Sequence, residues 1–354
     1  TIHRDGLAKP VVTQNAAADH RPYLHPIIGP NGKGEFTQYS PGHHKHQTGI
    51  YWGFTRLNGR DYFHNPRGDY WKRKDVKVIE AKGDSVKWET VYDLLDANGN
   101  AVLTETQRWS MTSSKDRHVL DLEWMGTGQT NVNIGKYPYG GLFVRMPWKK
   151  GIKGEAVNAA RDTDRRAEGK RAMWLDVGME IDGRDDWGHI AIFDHHKNAG
   201  YPQPWRVDGQ LGVGPVRARL GDWNIAKGKT ETIRHQIQVY GGKLNGKELT
   251  DRWKAYTGQR GTYALWQLAK RAGRDAKFLT PQEAVDNSTI EGGFTVNSWA
   301  NEPMITQPMA FCWDDKGRMW VAENRDYETR GRGFSASGDS RILILEDTDR
   351  AGVA

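Results

Sequence analysis

At 354 residues, with 37% apolar and 27% charged side chains, the chain can build a large core and is not of disordered composition. Its formal charge of +7 is scattered among 44 carboxylates, which argues against a nucleic-acid footprint. No stretch nears the ~20 apolar residues that span a bilayer, and the lone Cys312 excludes an internal disulfide.

The chain begins "TIHRDG" without methionine, which fits removal of a leader and a periplasmic or secreted location. The stretch "PGHHKHQTGIYWG" at 41–53 places three histidines ahead of an aromatic run. If residues 43–52 enter a strand, His44 and His46 share a face and His43 and Lys45 take the other. From about residue 75 to 126 apolar and polar residues alternate as in half-buried strands: "VKWETVYDLLD", "AVLTETQRWSM" and "HVLDLEWMG". Asn98-Gly99 supplies a tight turn, and Leu120, Leu122 and Trp124 mark an inward face. Further strands are predicted at 140–146, 172–180, 189–194 and 231–241, with the charged stretch 149–172 as a solvated loop. So many amphipathic strands need a facing layer, so residues 1–245 are expected to stack two antiparallel sheets.

Residues 246–293 are expected to be a helical linker. "NGKELTDRWKAYTG" and "TYALWQLAKRAGRDAKF" carry apolar residues at helical spacing, and "LTPQEAV" has Thr280 as cap, Pro281 in the first turn and Glu283 to close a capping box. From 294 to 354 strand signals return in "FTVNSWA", "MAFCWDD", "RMWVAEN" and "RILILED". Lys316-Gly317 makes a turn there, and Cys312 is expected inside a strand as a small hydrophobe.

His44 and His46 on one face could grip a divalent metal, with Asp194, His195 or His25 as third ligand and an open position for water. Alternatively one imidazole could exchange protons with a sugar hydroxyl, since its ordinary pKa is ~6.5. The competing reading is a hydrated surface turn around Pro41 and Gly42. Asp194 and His195 end an apolar strand where a loop begins, a common place for chemistry, although an aspartate there also caps loop backbone. Alternation would turn His196 away from His195. His25 precedes a proline and sits in extended chain. Tyr139 and Arg145 offer a phenolic proton and a cation for a carboxylate or sulfate, or else a cross-strand pair. Trp52 and Trp205 could stack on sugars, with core packing as the competing role. His235 alternates with Ile233, Ile237 and Val239 and reads as a satisfied core histidine.

The segments "RPYLHPIIGPNG", "HHKHQTGIYWGFTRLNGRDYFHN", "YGGLFVRMPW", "GKRAMWLDV" and "HIAIFDHHKNAGYPQPW" resemble, in order over about residues 20–245, the DUF6807 family, also labelled "methane oxygenase PmoA". His44, His46, Gln47 and Gly49 represent that family's HxH element. Thr48 stands where many members carry Arg, and His196 where many carry Pro, which favours His195 as the functional member. "LTPQEAV", "DDKGRMWVAE" and "RILILEDTD" resemble the lead-in and first blade of propellers labelled membrane-bound dehydrogenases in planctomycetes and verrucomicrobia. Methane oxidation is set aside, because it belongs to membranes and no span exists here.

The resemblance implies carbohydrate breakdown by association. The expected fold is all-β, a large antiparallel sandwich of the galactose-mutarotase-like type, followed by the helical linker and a truncated propeller blade whose remainder belongs to a longer protein. The expected function is an exported carbohydrate-active enzyme, a hydrolase or lyase acting on a glycan or oxidised sugar, since no carboxylate pair declares a glycosidase. His44, His46, His195, Asp194, Tyr139 and Arg145 would form the reaction centre, with His25, Gln47, Trp52 and Trp205 binding substrate. A non-catalytic sugar-binding module serving the propeller is the alternative, and a structural spacer the third.

Overall fold

The computed structural model describes residues 1–258, 279–329, 333–334 and 338–349. It divides into two units, Thr1–Trp253 and Lys254–Ala354. Sixteen strands run through the first: β1 (Val12–Asn15), β2 (Tyr23–Ile27), β3 (Ile50–Gly53), β4 (Trp71–Glu80), β5 (Ser85–Leu95), β6 (Ala101–Ser113), β7 (Arg117–Gly128), β8 (Val132–Ile134), β9 (Gly141–Val144), β10 (Gly154–Asn158), β11 (Trp174–Glu180), β12 (Trp187–Asp194), β13 (Trp205–Val207), β14 (Val213–Pro215), β15 (Trp223–Ile225) and β16 (Thr230–Gly241). They form a six-stranded sheet, β1-β2-β3-β9-β14-β13, an eight-stranded sheet, β10-β11-β12-β16-β7-β6-β5-β4, and a small β8-β15 pair. All their pairings are antiparallel.

Alternation decides which side chains meet between the large sheets. On β7, Leu120, Leu122 and Trp124 are buried as predicted. On β3, Ile50 and Trp52 point inward, and the Trp52 ring lies flat on Trp124 of the opposing sheet at 4.7 Å. Tyr51 turns outward with its cross-strand neighbours Tyr23 and Phe143. Phe63 packs over Tyr51 and Phe143, making a small aromatic cluster on the outer face of the six-stranded sheet. At the far edge of the eight-stranded sheet, β4 carries Lys72, Arg73, Lys74 and Lys77, charges that blunt an exposed edge against pairing with another chain.

The first helix, α1 (Gly246–Thr257), follows β16 directly. Its Leu249 and Trp253 are buried; Trp253 Nε1 donates to the Asp194 carbonyl and Arg117 pairs with Glu248. These contacts carry the compact unit to Trp253, beyond the expected boundary at 245.

In the second unit, α2 (Pro281–Asp286) has the complete capping box at Thr280 and Glu283. The helix expected at 262–278 lies outside the described residues. β17 (Pro308–Trp313), β18 (Met319–Glu323) and β21 (Arg341–Leu345) form an antiparallel sheet, and β19 (Tyr327–Thr329) pairs with β20 (Gly333–Phe334). Gly317 makes the β17–β18 turn at a φ of +77°. Two expectations fail here. "FTVNSWA" forms no strand: residues 294–300 are irregular chain ending in a bend. Cys312 is in a strand but exposed, as are Met309, Phe311 and Trp313 along the same uncovered β17.

Candidate functional site

The histidine cluster is not in a strand. Residues 41–47 form turns, with His44 N–H donating to the Pro41 carbonyl and Gln47 N–H to that of His44; β3 begins only at Ile50. Pro41 and Gly42 divert the chain, so the two-residue alternation expected for His43 and His44 fails. Instead their Nδ1 atoms lie 2.7 Å apart, within hydrogen-bond distance, and the His44 and His46 rings still come within 5.7 Å. Gly49 closes this loop at a φ of +75°, where a Cβ would lie 2.3 Å from the Leu24 carbonyl oxygen. Only glycine fits, which explains its place in the motif.

The ring nearest His46 is His64, at 4.4 Å, a residue that strand patterning did not single out. His64 sits in a turn built by Asp61, whose Oδ1 accepts the N–H groups of Phe63 and His64 at 3.0 Å each. The other carboxylate oxygen holds His64 Nδ1 at 2.7 Å. Burial alone would raise the Asp61 pKa, but its hydrogen bonds to the His64 ring and to the two backbone amides outweigh that and lower it. With Nδ1 donating to a carboxylate, Nε2 is the basic nitrogen of His64, and it lies 3.5 Å from the Tyr139 hydroxyl. Tyr139 comes from the entry to β9, and burial followed by the Tyr137 hydroxyl pushes its pKa up to about 12. His46 is driven down to about 3 by burial, then by the neighbouring charges of His64, Arg21 and His44, so it stays neutral across the physiological range.

Two buried arginines hold this arrangement from below. Arg21, on the segment before β2, donates to the carbonyls of both His46 and Phe63, and its guanidinium stacks 3.6 Å over the Tyr51 ring. Arg145, after β9, donates to Gln47 Oε1, to the Gln210 carbonyl and, at 2.6 Å, to Asp208 Oδ2. Both are fully buried. Arg145 and Gln47 therefore support the histidine loop, and Arg145 is not the open anion-binding cation the sequence suggested.

Above these groups lies a hollow of about 530 Å³ lined by His46, His64, Tyr39, Lys45, Thr48 and Arg67. His25 stands beside it, its ring stacked on Tyr39 at 5.7 Å and Nδ1 bonded to the Thr37 hydroxyl at 3.0 Å.

The remaining expected residues lie elsewhere. Asp194 ends β12 in the eight-stranded sheet, fully buried, its oxygens accepting from Asn198 Nδ2 at 2.7 Å and Gln203 N–H at 2.8 Å. Burial raises its pKa to about 7 against those two bonds. It fastens the 195–203 loop, the capping role weighed against catalysis. His195 and His196 do not point apart; the strand has ended, and their rings stack at 4.5 Å. Burial, then the charges of His196 and Arg234, lower His195 to about 4. The rings around His46 are His44, Phe63 and His64, so the expected meeting of His44, His46 and His195 is replaced by one centred on His64. Among the described residues no group of three His, Cys, Asp or Glu side chains is arranged to hold a metal ion, so the pair His44–His46 lacks the expected third ligand. Trp52 and Trp205 are core residues at 3% and 0% exposure, with no face for a sugar. His235 is buried as expected, with Nδ1 against the Phe193 carbonyl at 3.3 Å, but among the described residues its Nε2 meets no hydrogen-bond partner, so it is not the satisfied histidine the sequence suggested.

The first unit is thus an all-β antiparallel sandwich with a histidine-lined hollow on the outer side of its smaller sheet. Over residues 4–254 it matches the model described as "Family of unknown function (DUF6807)", and the chain belongs to that family. Residues 280–354 match a "Domain of unknown function (DUF7133)". No curated protein matches the chain. Similar solved structures include the GH36 alpha-galactosidase AgaA of Geobacillus stearothermophilus, at 10% identity and a TM-score of 0.36 over 71% of this chain and 42% of that one. Another is a galactose mutarotase related enzyme of Lactobacillus acidophilus, at 8% identity and a TM-score of 0.28 over 66% of this chain and 100% of that one. The chain spans about a third of the length of the first alpha-galactosidases it matches. No helix among the described residues is long and apolar enough to cross a membrane.

Proposed function

We propose that the sandwich is an exported carbohydrate-active enzyme that works by proton transfer at the His46–His64 hollow. The observation that carries this reading is the chain of contacts Asp61–His64–Tyr139. A carboxylate orients an imidazole through Nδ1, and the basic Nε2 faces a phenol. In this reading His64 Nε2 removes a proton from a sugar carbon or hydroxyl, and Asp61 stabilises the imidazolium that forms. Tyr139, still protonated at neutral pH, supplies a proton to the opposite atom. Neutral His46 offers a ring nitrogen to a sugar hydroxyl without adding a second positive charge beside the imidazolium. Such a pair serves elimination, epimerisation or hydrolysis. The same reading makes residues 294–354 the beginning of a propeller, in keeping with the uncovered apolar strand β17.

The test is incubation of the full chain with plant, algal and bacterial glycans and oxidised sugars. New reducing ends, unsaturated ends and exchange of carbon-bound hydrogen for solvent deuterium are all measured. His64→Ala is expected to slow turnover ~10²–10⁴-fold, the usual share of a general base, and Asp61→Asn to follow it. Turnover unchanged in both variants, or no sugar bound or converted by the wild type, overturns the proposal.

A further inference from the structure

A second hollow adjoins the one at His46 and His64. A space of about 390 Å³, bordered by Asn15, Ala17, Asp19 and Tyr23, shares three wall residues with the first: His20, Tyr39 and Arg67. Each hollow alone falls in the ~300–1,000 Å³ range of ligand pockets, so the pair exceeds the needs of one small ring.

Tyr39 belongs to the walls of both. It is 37% exposed, an unusual state for a tyrosine held on several sides: its ring lies 5.5 Å from Tyr23 and 5.7 Å from His25, and Arg67 Nη2 donates to its hydroxyl at 3.2 Å. A fixed, half-open aromatic face is suited to the C–H face of a sugar ring, since it adds contact without ordering a mobile side chain. The second hollow offers the Asn15 amide, the Asp19 carboxylate and the Tyr23 phenol as partners for hydroxyls. The reactive groups Asp61, His64, His46 and Tyr139 do not line it; His46 and His64 line only the first.

The geometry points to an oligosaccharide ligand of at least two units, with the unit acted on at His46 and His64, its neighbour in the Asn15–Asp19–Tyr23 hollow, and Tyr39 as the platform between them. This inference rests on the acid–base reading of the first hollow. It names the second hollow as a subsite that binds without reacting, so the enzyme selects for chain length as well as for the unit it converts.

The test is native mass spectrometry of the full chain with partial acid hydrolysates of mixed plant, algal and bacterial polysaccharides, separated into one-, two- and three-unit pools. The two- and three-unit pools are expected to be retained at least tenfold more strongly than the one-unit pool. Ala17→Trp places an indole in the second hollow at an exposed position whose only described bond is through its backbone carbonyl, to Tyr92. It is expected to cut that size preference at least tenfold, and Asp19→Ala to cut it by a smaller factor. Equal retention of the one-unit pool, or a preference that survives Ala17→Trp in a protein with an unchanged melting temperature, overturns the inference. One-unit sugars bound or converted with no gain for longer ones would leave the acid–base reading standing while this one falls. No pool retained or converted would remove both.

Discussion

Replacing Arg145 with leucine separates a supporting arginine from a ligand-binding one. Its guanidinium is 0% exposed, and each of its three nitrogens meets an acceptor: Gln47 Oε1, the Gln210 carbonyl and Asp208 Oδ2. Gly212 leaves the room, since a Cβ there would fall 2.2 Å from Nη2. In Arg145→Leu the Asp208 carboxylate keeps the N–H groups of Gln210 and Gly212 but loses its cation, at 8% exposure. Breaking a buried pair from one side costs ~3–5 kcal/mol, because the remaining charge is uncompensated. An arginine with an open face and a surface partner would lose only ~0–1 kcal/mol. For a unit of this size each kcal/mol moves the melting temperature by roughly 2–4 °C, so a drop of roughly 6–20 °C is expected by scanning calorimetry of the full chain. The double variant Arg145→Leu/Asp208→Leu is expected to regain part of that loss, since no buried charge is stranded. A single-variant drop of about 2 °C or less, or a double variant less stable than the sum of the two singles, refutes the reasoning.

Gly49→Ala should lose more stability than Gly59→Ala. Both positions have φ near +75° to +78°, costing roughly 1–2 kcal/mol for a left-handed alanine, but only Gly49 would drive its Cβ into a backbone oxygen, while nothing lies within 4 Å of Gly59. Paired urea melts measure the difference, and equal losses would show that the loop adjusts. Asp194→Asn addresses pH. Burial lifts the Asp194 pKa to about 7, above its unfolded value, so the folded state holds a proton that the unfolded chain releases. That contribution is full below about pH 4 and lost as pH rises through about 7. The variant's stability relative to wild type is therefore expected to increase over that window, and a flat difference curve from pH 4 to 8 would contradict the assigned shift.

The strands were legible where one face is buried and the other is not. Arg117–Gly128 alternates without interruption because its even positions pack between two sheets, and the Thr280–Glu283 box announces a helix from four residues. "FTVNSWA" carries the same residue types but is irregular chain, so β propensity alone made no strand there. At the site, the sequence pointed to the loop but not to its centre. His44 and His46 drew attention by crowding, whereas His64 is isolated in sequence, and its signal was the spacing Asp61–x–x–His64, an aspartate capping the turn that bears the histidine. Tyr139 and His64 are 75 positions apart, a meeting made by sheet pairing that no local pattern displays. At the end of β12 the sequence left two roles open, and Asp194 makes the loop-capping bonds of one of them.

Arg21 grips a backbone oxygen in each of the two loops that bear the histidines, and its Nη2 also reaches the Thr48 hydroxyl at 3.4 Å. Carbonyls are common to every amino acid, so those two bonds do not depend on which side chains occupy the loop tips. Replacing Lys45 or Asn65 would therefore leave both grips, and with them the spacing of the two imidazoles, in place.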